Sequence, residues 1–228
     1  SLTSTIRLYP GEMYETGIEL GLARHTRRPH ASVLDPTVTG NQYINNIMAL
    51  VEGTRQWRTL ESLILTRDGF LAEATVDNLF LIHRHAGWEQ DPQQIEIRTP
   101  RREYCLNGIT RALVLRFCRE AGYRVNEEAD LLPIDLIGKD RECFMTGTGA
   151  GVMPIVRIIG NEVGDGVPGP ITSSLVKTIR EAMQSPKYGL AVNATRDEIR
   201  SYIEGPGTLP EELALYGEKQ AARSPEFA

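Results

Sequence analysis

The stretch GFLAEATVDNLF (69–80) decides the fold, together with LNGITRALVLRF (106–117) and FMTGTGAG (144–151). The first stretch alternates apolar and polar residues as a β-strand does, but it carries one acidic residue, Glu73, among apolar neighbours. The second is a Gly-Ile-Thr turn that leads into a helical pattern, and the third is a strand end followed by a loop of small residues. A buried carboxylate and two loops with free backbone N–H groups suit a flat, anionic, nitrogen-containing cofactor.

Length and composition are those of an ordinary globular chain. Its 228 residues are enough to bury a substantial core, and 24% charged with 41% hydrophobic residues is typical of a soluble domain. The net charge of −5 argues against a general binder of nucleic acid or membrane surfaces. The sequence contains no apolar run of the roughly 18 residues that a membrane-spanning helix needs, and it opens on no signal-peptide pattern. We therefore expect neither a nucleic-acid nor a membrane partner.

Cysteine and histidine usage gives no sign of a metal site. Cys105, Cys118 and Cys143 lie in separate segments, and an odd, sparse count is typical of reduced thiols, so we expect a cytoplasmic protein. His83 and His85 are two residues apart, and we interpret them as neighbours on one face of a strand. No metal is predicted.

Periodicity predicts eight strands and four helices. Strands are predicted at 6–9, 18–23, 62–65, 70–74, 78–83, 95–98, 142–146 and 154–159, and helices at 43–57, 108–121, 136–139 and 173–183. The strand at 95–98 is predicted as an edge strand, and Thr172 as the N-cap of the last helix. A capping box is predicted at 195–198, and residues 204–228 are predicted to form a polar surface tail.

Two of these helices carry an apolar stripe. The stripe of the first helix consists of Ile44, Ile47, Met48 and Val51. The stripe of the second, which we expect to be buried, consists of Ile109, Leu113, Val114 and Phe117.

Each candidate site residue has two interpretations when it is taken alone. Glu73 is either an exposed strand residue or a buried carboxylate that needs a positive partner, such as a protonated ring nitrogen. The loops 108–110 and 146–149 are either plain turns or cradles for a phosphate. Tyr43 either packs or presents its phenol to a ligand, and the basic stretch 24–28 is either a solvated strand end or a cationic rim for an acidic ligand.

Taken together and in order, the motifs are far more specific. The chain resembles the class IV aminotransferases, the pyridoxal-phosphate enzymes of the D-alanine and branched-chain type, over about residues 11–183. The motifs that carry the resemblance are TGNQYINNIMALVEG (39–53), DGFLAEATVDNLFLI (68–82), TP (99–100), CLNGITRALVL (105–115), FMTGTGAGVMPIVRI (144–158) and GDGVPGPIT (164–172).

The resemblance implies an α/β (α+β) fold, the large C-terminal domain of the D-amino-acid and branched-chain aminotransferase-like fold. This domain has a mixed sheet or pseudo-barrel with surrounding helices. We expect residues 1–10 to end an interdomain linker strand, 11–186 to form the large domain that binds pyridoxal phosphate, and 187–228 to be a C-terminal extension. We expect the N-terminal small domain of the family to lie outside these 228 residues.

The resemblance also assigns roles around pyridoxal 5'-phosphate. Glu73 is implied to pair with the pyridine nitrogen of the cofactor, and Tyr43 to hydrogen-bond its 3-oxygen. The phosphate cup is implied to consist of Gly108, Ile109, Thr110 and Thr148. Gly149 is implied to lie near the substrate carboxylate, and Arg111 to give local electrostatic support.

The catalytic lysine departs from the family pattern. Family members form a Schiff base on a lysine five residues before the tyrosine that Tyr43 matches, and Val38 stands at that position. Residues 39–43 fit the pattern if one residue is missing between Val38 and Thr39. Our hypothesis is that a cofactor-bonded lysine belongs there. The alternative is a lysine-less relative without catalysis.

The implied activity is transamination between an amino acid and a 2-oxo acid. Branched-chain substrates, and with them branched-chain amino acid biosynthesis, are favoured by FMTGTGAGVMPIVRI and GDGVPGP. D-amino-acid transaminase and aminodeoxychorismate lyase are the alternatives within the family. A non-catalytic ligand-binding protein is the alternative of another class. The resemblance also implies a homodimer.

Overall fold

The computed structural model describes residues 9–185, 188, 195–198 and 201. Its helices are α1 Met13–Thr16, α2 Ile44–Trp57, α3 Ile109–Glu120 and α4 Pro170–Gln184, with 3₁₀ turns at Pro92–Gln94 and Pro133–Leu136. Its strands are β1 Ile18–Arg27, β2 Glu61–Leu65, β3 Leu71–Ala74, β4 Asn78–Arg84, β5 Ile95–Pro100, β6 Arg124–Ala129, β7 Arg141–Gly147, β8 Gly151–Ile158 and β9 Asn161–Glu162. None of the described helices is long and apolar enough to cross a membrane.

The nine described strands form one mixed sheet in the order β3-β2-β1-β8-β7-β4-β5-β6, with β9 beside β8. Strand β1 pairs in parallel with both β2 and β8, whereas β4 pairs antiparallel with both β5 and β7. The mixed sheet with helices packed on it confirms the predicted fold class. Strands β2 and β3 pair antiparallel across the turn at 67–69.

The sheet separates two hydrophobic clusters, and strand β4 contributes alternate residues to each of them. Leu79 and Leu81 belong to one cluster, while Phe80 and Ile82 belong to the cluster on the other side. Successive strand residues point to opposite faces, so a strand covered on both faces is apolar throughout. Residues of α3 and α4 complete the second cluster, in which Phe80 stacks on Phe144 with ring centroids 4.7 Å apart.

The edge-strand prediction for 95–98 is wrong. Strand β5 pairs with β4 on one side and in parallel with β6 on the other, so it lies inside the sheet. The sequence of β6, RVNEEA, gave no strand prediction because its exposed positions carry charged or polar residues. Polar residues are common on edge strands, where they discourage pairing with other chains.

Helix α3 forms where it was predicted, but its buried stripe differs at one end. Val114 and Phe117 are buried, whereas Ile109 is 67% exposed. The prediction that Ile109 is buried is therefore wrong, because the buried residues of the first turn are Arg111 and Ala112.

The N-cap predicted at Thr172 is also wrong. Helix α4 begins at Pro170 after Gly169, and Thr172 is a buried residue of its first turn. The N–H of Thr172 donates to Glu142 Oε2 at 2.7 Å, so a distant carboxylate supplies the acceptor that a local cap would offer.

The apolar stripe of α2 faces outward. Its four residues, Ile44, Ile47, Met48 and Val51, are 36% to 66% exposed. The side chains of Asn45 and Asn46 point to the protein instead and donate to the carbonyl oxygens of Arg27 and Thr75 at 3.1 and 2.6 Å. Helix α2 thus presents a polar face to backbone groups that need donors and leaves its apolar face open.

Several short predictions have mixed outcomes. The helix predicted at 136–139 is a 3₁₀ turn at Pro133–Leu136. The capping box at 195–198 is confirmed, because the N–H of Thr195 donates to Glu198 Oε2 at 2.7 Å and the N–H of Glu198 to Thr195 Oγ1 at 3.3 Å. Residues 6–8 of the first predicted strand and the predicted tail 204–228 lie outside the described residues.

Candidate functional site

A cavity of about 760 Å³ opens where β4 begins, β7 ends and α3 begins. These three termini meet because β4 and β7 are antiparallel, with Asn78 opposite Thr146. Of the predicted site residues, Tyr43, Gly108, Ile109, Thr110, Thr148 and Gly149 all line this cavity. Motifs that are far apart in sequence therefore surround one hollow.

A smaller cavity of about 80 Å³ adjoins the first and contains Glu73 and Arg28. The two cavities share the lining residues Val38, Thr39, Tyr43, Val76, Asn78 and Leu106. Glu73 thus lies behind the wall that carries Tyr43, beside the larger hollow.

Glu73 is a buried carboxylate with partners on both oxygens. It is 5% exposed, Arg28 Nη2 lies 2.8 Å from Oε1, and the N–H of Leu106 donates to Oε2 at 3.0 Å. Burial raises the pKa of Glu73 to about 7, although Arg28 and the Leu106 N–H both favour the ionised form. The interpretation of Glu73 as an exposed strand residue is therefore wrong. The basic stretch 24–28 supplies its ion-pair partner.

Asn78 connects this carboxylate to the loop before α3, a role that the sequence analysis missed. Its Nδ2 donates to the carbonyl oxygen of Leu106 at 2.7 Å and lies 3.4 Å from Glu73 Oε2. A Cβ atom on Gly108 would lie 2.4 Å from Asn78 Oδ1, so only glycine lets the loop approach this closely. The signal in the sequence was the Asp-Asn pair at the start of an otherwise apolar strand.

The start of α3 has the features of an anion-binding site. Gly108 is the N-cap, and no side chain among the described residues caps the first turn. The first N–H groups of a helix lack intrahelical acceptors and carry the positive end of the helix dipole. Thr110 and, from the opposite loop, Thr148 add hydroxyl groups to the wall of the same cavity. This arrangement suits a phosphate group.

Arg111 lines neither of the two cavities. It is 1% exposed, and its Nη2 donates to the carbonyl oxygens of Pro100 and Glu127 at 3.3 and 3.2 Å. Its Nη1 donates to Asn107 Oδ1 at 3.3 Å, on the loop that precedes α3. Arg111 therefore ties that loop to β5 and β6 from behind.

Asp77 and Thr146 are buried polar residues of the cavity wall. Thr146 belongs to the predicted loop 146–149, whereas the sequence analysis missed Asp77. Asp77 Oδ2 and Thr146 Oγ1 have no hydrogen-bond partner among the described residues. Burial, and next the charge of Glu61, raise the pKa of Asp77 to about 7. A Cβ on Gly147 would overlap Asp77 Oδ1, so glycine is required there as well. Buried polar groups of this kind are normally hydrogen-bonded to water, an ion or a ligand.

The place of the predicted lysine is at the cavity wall. Val38 and Thr39 line both cavities. The lysines within the described residues lie elsewhere: Lys139 pairs with Asp165, and Lys177 lies near Glu181. Neither of these two lines the cavities.

The donor set fits pyridoxal 5'-phosphate. An anion cradle, a phenol and a buried carboxylate surround a hollow within the usual range of about 300–1,000 Å³ for ligand pockets. The orphaned oxygen atoms of Asp77 and Thr146 add polar groups that lack protein partners among the described residues.

Known proteins match the chain in sequence and in structure. The family model of amino-transferase class IV matches residues 2–158. The branched-chain-amino-acid aminotransferase of Pseudomonas aeruginosa is 31% identical over 166 residues, which are 73% of this chain and 50% of that protein. The D-alanine aminotransferase of Bacillus licheniformis is 34% identical over 122 residues, 54% of this chain and 39% of that protein.

Among solved structures, the branched-chain amino acid aminotransferase of T.th. with pyridoxamine 5'-phosphate superposes with a TM-score of 0.67 at 27% identity. The match covers 78% of this chain and 55% of that one. The chain thus spans about half the length of these two branched-chain aminotransferases.

Proposed function

Since this chain belongs to the class IV aminotransferase family, we propose that it binds pyridoxal 5'-phosphate and transfers an amino group between an amino acid and a 2-oxo acid. The observation that carries the proposal is the convergence of Glu73, Tyr43 and the α3 N-terminus on two adjoining cavities. Bound there, the cofactor supplies an electron sink for the substrate carbon that loses its proton.

Glu73 would hold a proton at the ring nitrogen of the cofactor. A carboxylate taken out of water pairs strongly with a positive group, and Arg28 keeps this one oriented through its 2.8 Å contact with Oε1. The N–H of Leu106 fixes the other oxygen. Tyr43, which lines the same wall, would donate to or accept from the 3-oxygen of the cofactor.

The opposite end of the cavity would hold the phosphate. The N–H groups of Ile109 and Thr110 and the hydroxyl groups of Thr110 and Thr148 would supply donors without a buried cation, while Gly108 lines the cavity with its N–H bonded to the carbonyl oxygen of Leu106. Gly149 borders both this cavity and a third cavity, of about 680 Å³, near Tyr14 and Arg180. That position supports a role for Gly149 beside the substrate carboxylate.

Branched-chain substrates are the substrate class we propose. Support comes from the motifs around 144–158 and 164–172 and from the names of the relatives. The match to a D-alanine aminotransferase keeps D-amino acids as the second candidate. The two differ in the enantiomer consumed, which a chiral amino-acid assay measures directly.

A binding experiment tests the site without depending on the lysine. Pyridoxamine 5'-phosphate carries its own amino group, so we expect it to bind saturably, at one molecule per chain, in a calorimetric titration. Gly108→Ala should weaken this binding at least about tenfold, because the added Cβ would displace Asn78 and distort the cradle.

Gly11→Ala is the matched control, since a Cβ there meets nothing within 4 Å, and its affinity should stay unchanged. Unmodified pyridoxamine, which lacks the phosphate, should bind much more weakly than the phosphorylated form. Equal affinity for both compounds would argue against the phosphate cradle, and no saturable binding would remove the proposed function.

We also propose a homodimer, supported by the open apolar stripe of α2. Exposed apolar patches of this kind usually mark an interface. Ile47→Glu places a charge in the middle of the stripe and should shift the protein from dimer to monomer in sedimentation velocity. Ile134→Glu, at an exposed isoleucine outside the stripe, should leave the dimer intact. A wild-type monomer at micromolar concentration would contradict the proposal.

Three smaller proposals complete the assignment. Residues 11–186 form the large domain that binds the cofactor, and 187–228 form an extension to it. The protein acts in the cytoplasm, which its three buried, unbridged cysteines support. Branched-chain amino acid biosynthesis is the process that these substrates serve.

A further inference from the structure

His83, His85 and Glu96 form a side-chain cluster that lines neither of the two cavities. Strands β4 and β5 pair antiparallel, and the register puts His83 directly opposite Glu96. Side chains two residues apart on a strand share a face, so His85 joins them on the same side of the sheet. The strand pairing thus brings two imidazoles and a carboxylate together from segments separated by a turn.

The spacing of this cluster is that of a metal-ligand set. One ligand atom from each of the three residues lies within 4.8 Å of the other two. His85 Nε2 and Glu96 Oε2 are 3.3 Å apart, and the two imidazole centroids are 3.8 Å apart. Two ligands with bonds of about 2.0–2.1 Å to one tetrahedral ion are separated by roughly 3.3 Å.

All three side chains are partly exposed, so small rotations can close the remaining gap. An ion can also reach the cluster from solvent.

A further carboxylate orients one of the imidazoles. Asp140 Oδ2 lies 2.8 Å from His83 Nε2, which leaves Nδ1 as the nitrogen available to an ion. In metal sites a ligating histidine commonly donates its other N–H to a carboxylate in this way. Arg141 also contacts Asp140, with Nη1 2.6 Å from Oδ2, and so fixes the orienting carboxylate.

We propose that His83, His85 and Glu96 bind one divalent transition-metal ion of the zinc type, with water in the fourth position. Two nitrogens and one carboxylate suit Zn²⁺ or Co²⁺. Mg²⁺ and Ca²⁺ require more oxygen ligands and are excluded by this set. The site would clamp the β4–β5 hairpin to the 138–141 loop, and it is independent of the proposed transamination.

Calorimetric titration of the chelator-treated protein with Zn²⁺ tests the proposal. We expect one ion per chain, no heat with Mg²⁺, and a tetrahedral visible spectrum with Co²⁺. His85→Gln should lower the Zn²⁺ affinity at least about tenfold, and Asp140→Asn should weaken it by about 10- to 100-fold.

His30→Gln is the control, because His30 is exposed and lies outside the cluster, and its affinity should equal that of wild type. Thermal unfolding without metal verifies that each variant is folded. Glu96→Gln serves as a second ligand variant if His85→Gln is unfolded. Absence of saturable Zn²⁺ binding, or binding that survives in a folded ligand variant, would overturn the proposal.

Discussion

Insertion of a lysine between Val38 and Thr39 is expected to make the chain retain pyridoxal 5'-phosphate after borohydride reduction. Both flanking residues line both cavities, so the new amine would stand beside Tyr43 and Glu73. An amine positioned there can bond to the cofactor aldehyde and can also carry protons during the reaction. The intact mass of the reduced protein measures the covalent label.

Transamination provides a second measurement of the same change. Loss of a positioned general acid–base typically costs about 10²–10⁴-fold in rate, so the insertion should raise turnover by a factor of that order. Insertion of methionine at the same point is the matched control, since it adds equal chain length without an amine. Equal labelling of both insertions would show that the wall near Val38 is not the cofactor's bonding position, and the non-catalytic alternative would then stand.

Glu73→Gln is expected to separate function from stability. The substitution removes the charge that would hold a proton at the cofactor's ring nitrogen. Removal of one group that stabilises charge in a buried reaction site typically costs about 10²–10³-fold. We expect a loss of that size in the turnover of the lysine-containing protein, with weaker binding of pyridoxamine 5'-phosphate.

In the cofactor-free protein, by contrast, we expect Glu73→Gln to raise the free energy of unfolding relative to wild type above neutral pH. The pKa of Glu73 is raised to about 7 in the folded state, against 4.5 for the free side chain. The folded state therefore binds the Glu73 proton more tightly than the unfolded state does. This tighter binding adds to the free energy of unfolding; the addition is fully present below about pH 4.5 and is lost as the pH rises through 7. Its size is about 3 kcal/mol, since each pKa unit corresponds to about 1.36 kcal/mol.

Glu73→Gln lacks this titration, so its free energy of unfolding should fall less between pH 5 and pH 8 than that of wild type. Asp77 titrates in the same range, so the difference between the two proteins reports Glu73 together with its electrostatic coupling to Asp77. Urea unfolding at the two pH values is the measurement, with the exposed Glu162→Gln as control. A Glu73→Gln protein that is less stable than wild type at pH 8 would mean that the Arg28 ion pair outweighs the cost of burial.

Local sequence was sufficient for much of the candidate site. The strand pattern around Glu73, the Gly-Ile-Thr helix start and the small-residue loop after β7 are short-range signals, because they depend on side-chain alternation and backbone freedom. Their order along the chain carried the family resemblance. Two adjoining cavities bring these segments together, with Glu73 in the wall of the smaller one and the two loops in the wall of the larger one.

Other features had no local signal. Strand β6 was missed because an edge strand needs no apolar residues, and β5 was consequently misplaced at the edge. The cap of α4 is Glu142, a strand residue 30 positions before Thr172, so no window around the helix start could contain it.

Local sequence was enough to predict most of the longer helices and strands, with β6 as the exception, and to predict which residues share a face of each one. What each face contacts depends on the tertiary structure. Glu73 pairs with Arg28 across 45 residues, the apolar stripe of α2 points outward, and His83 faces Glu96. The physical reason is that periodicity is set by local backbone geometry, whereas partners are set by how distant segments pair and pack to bury the most apolar surface.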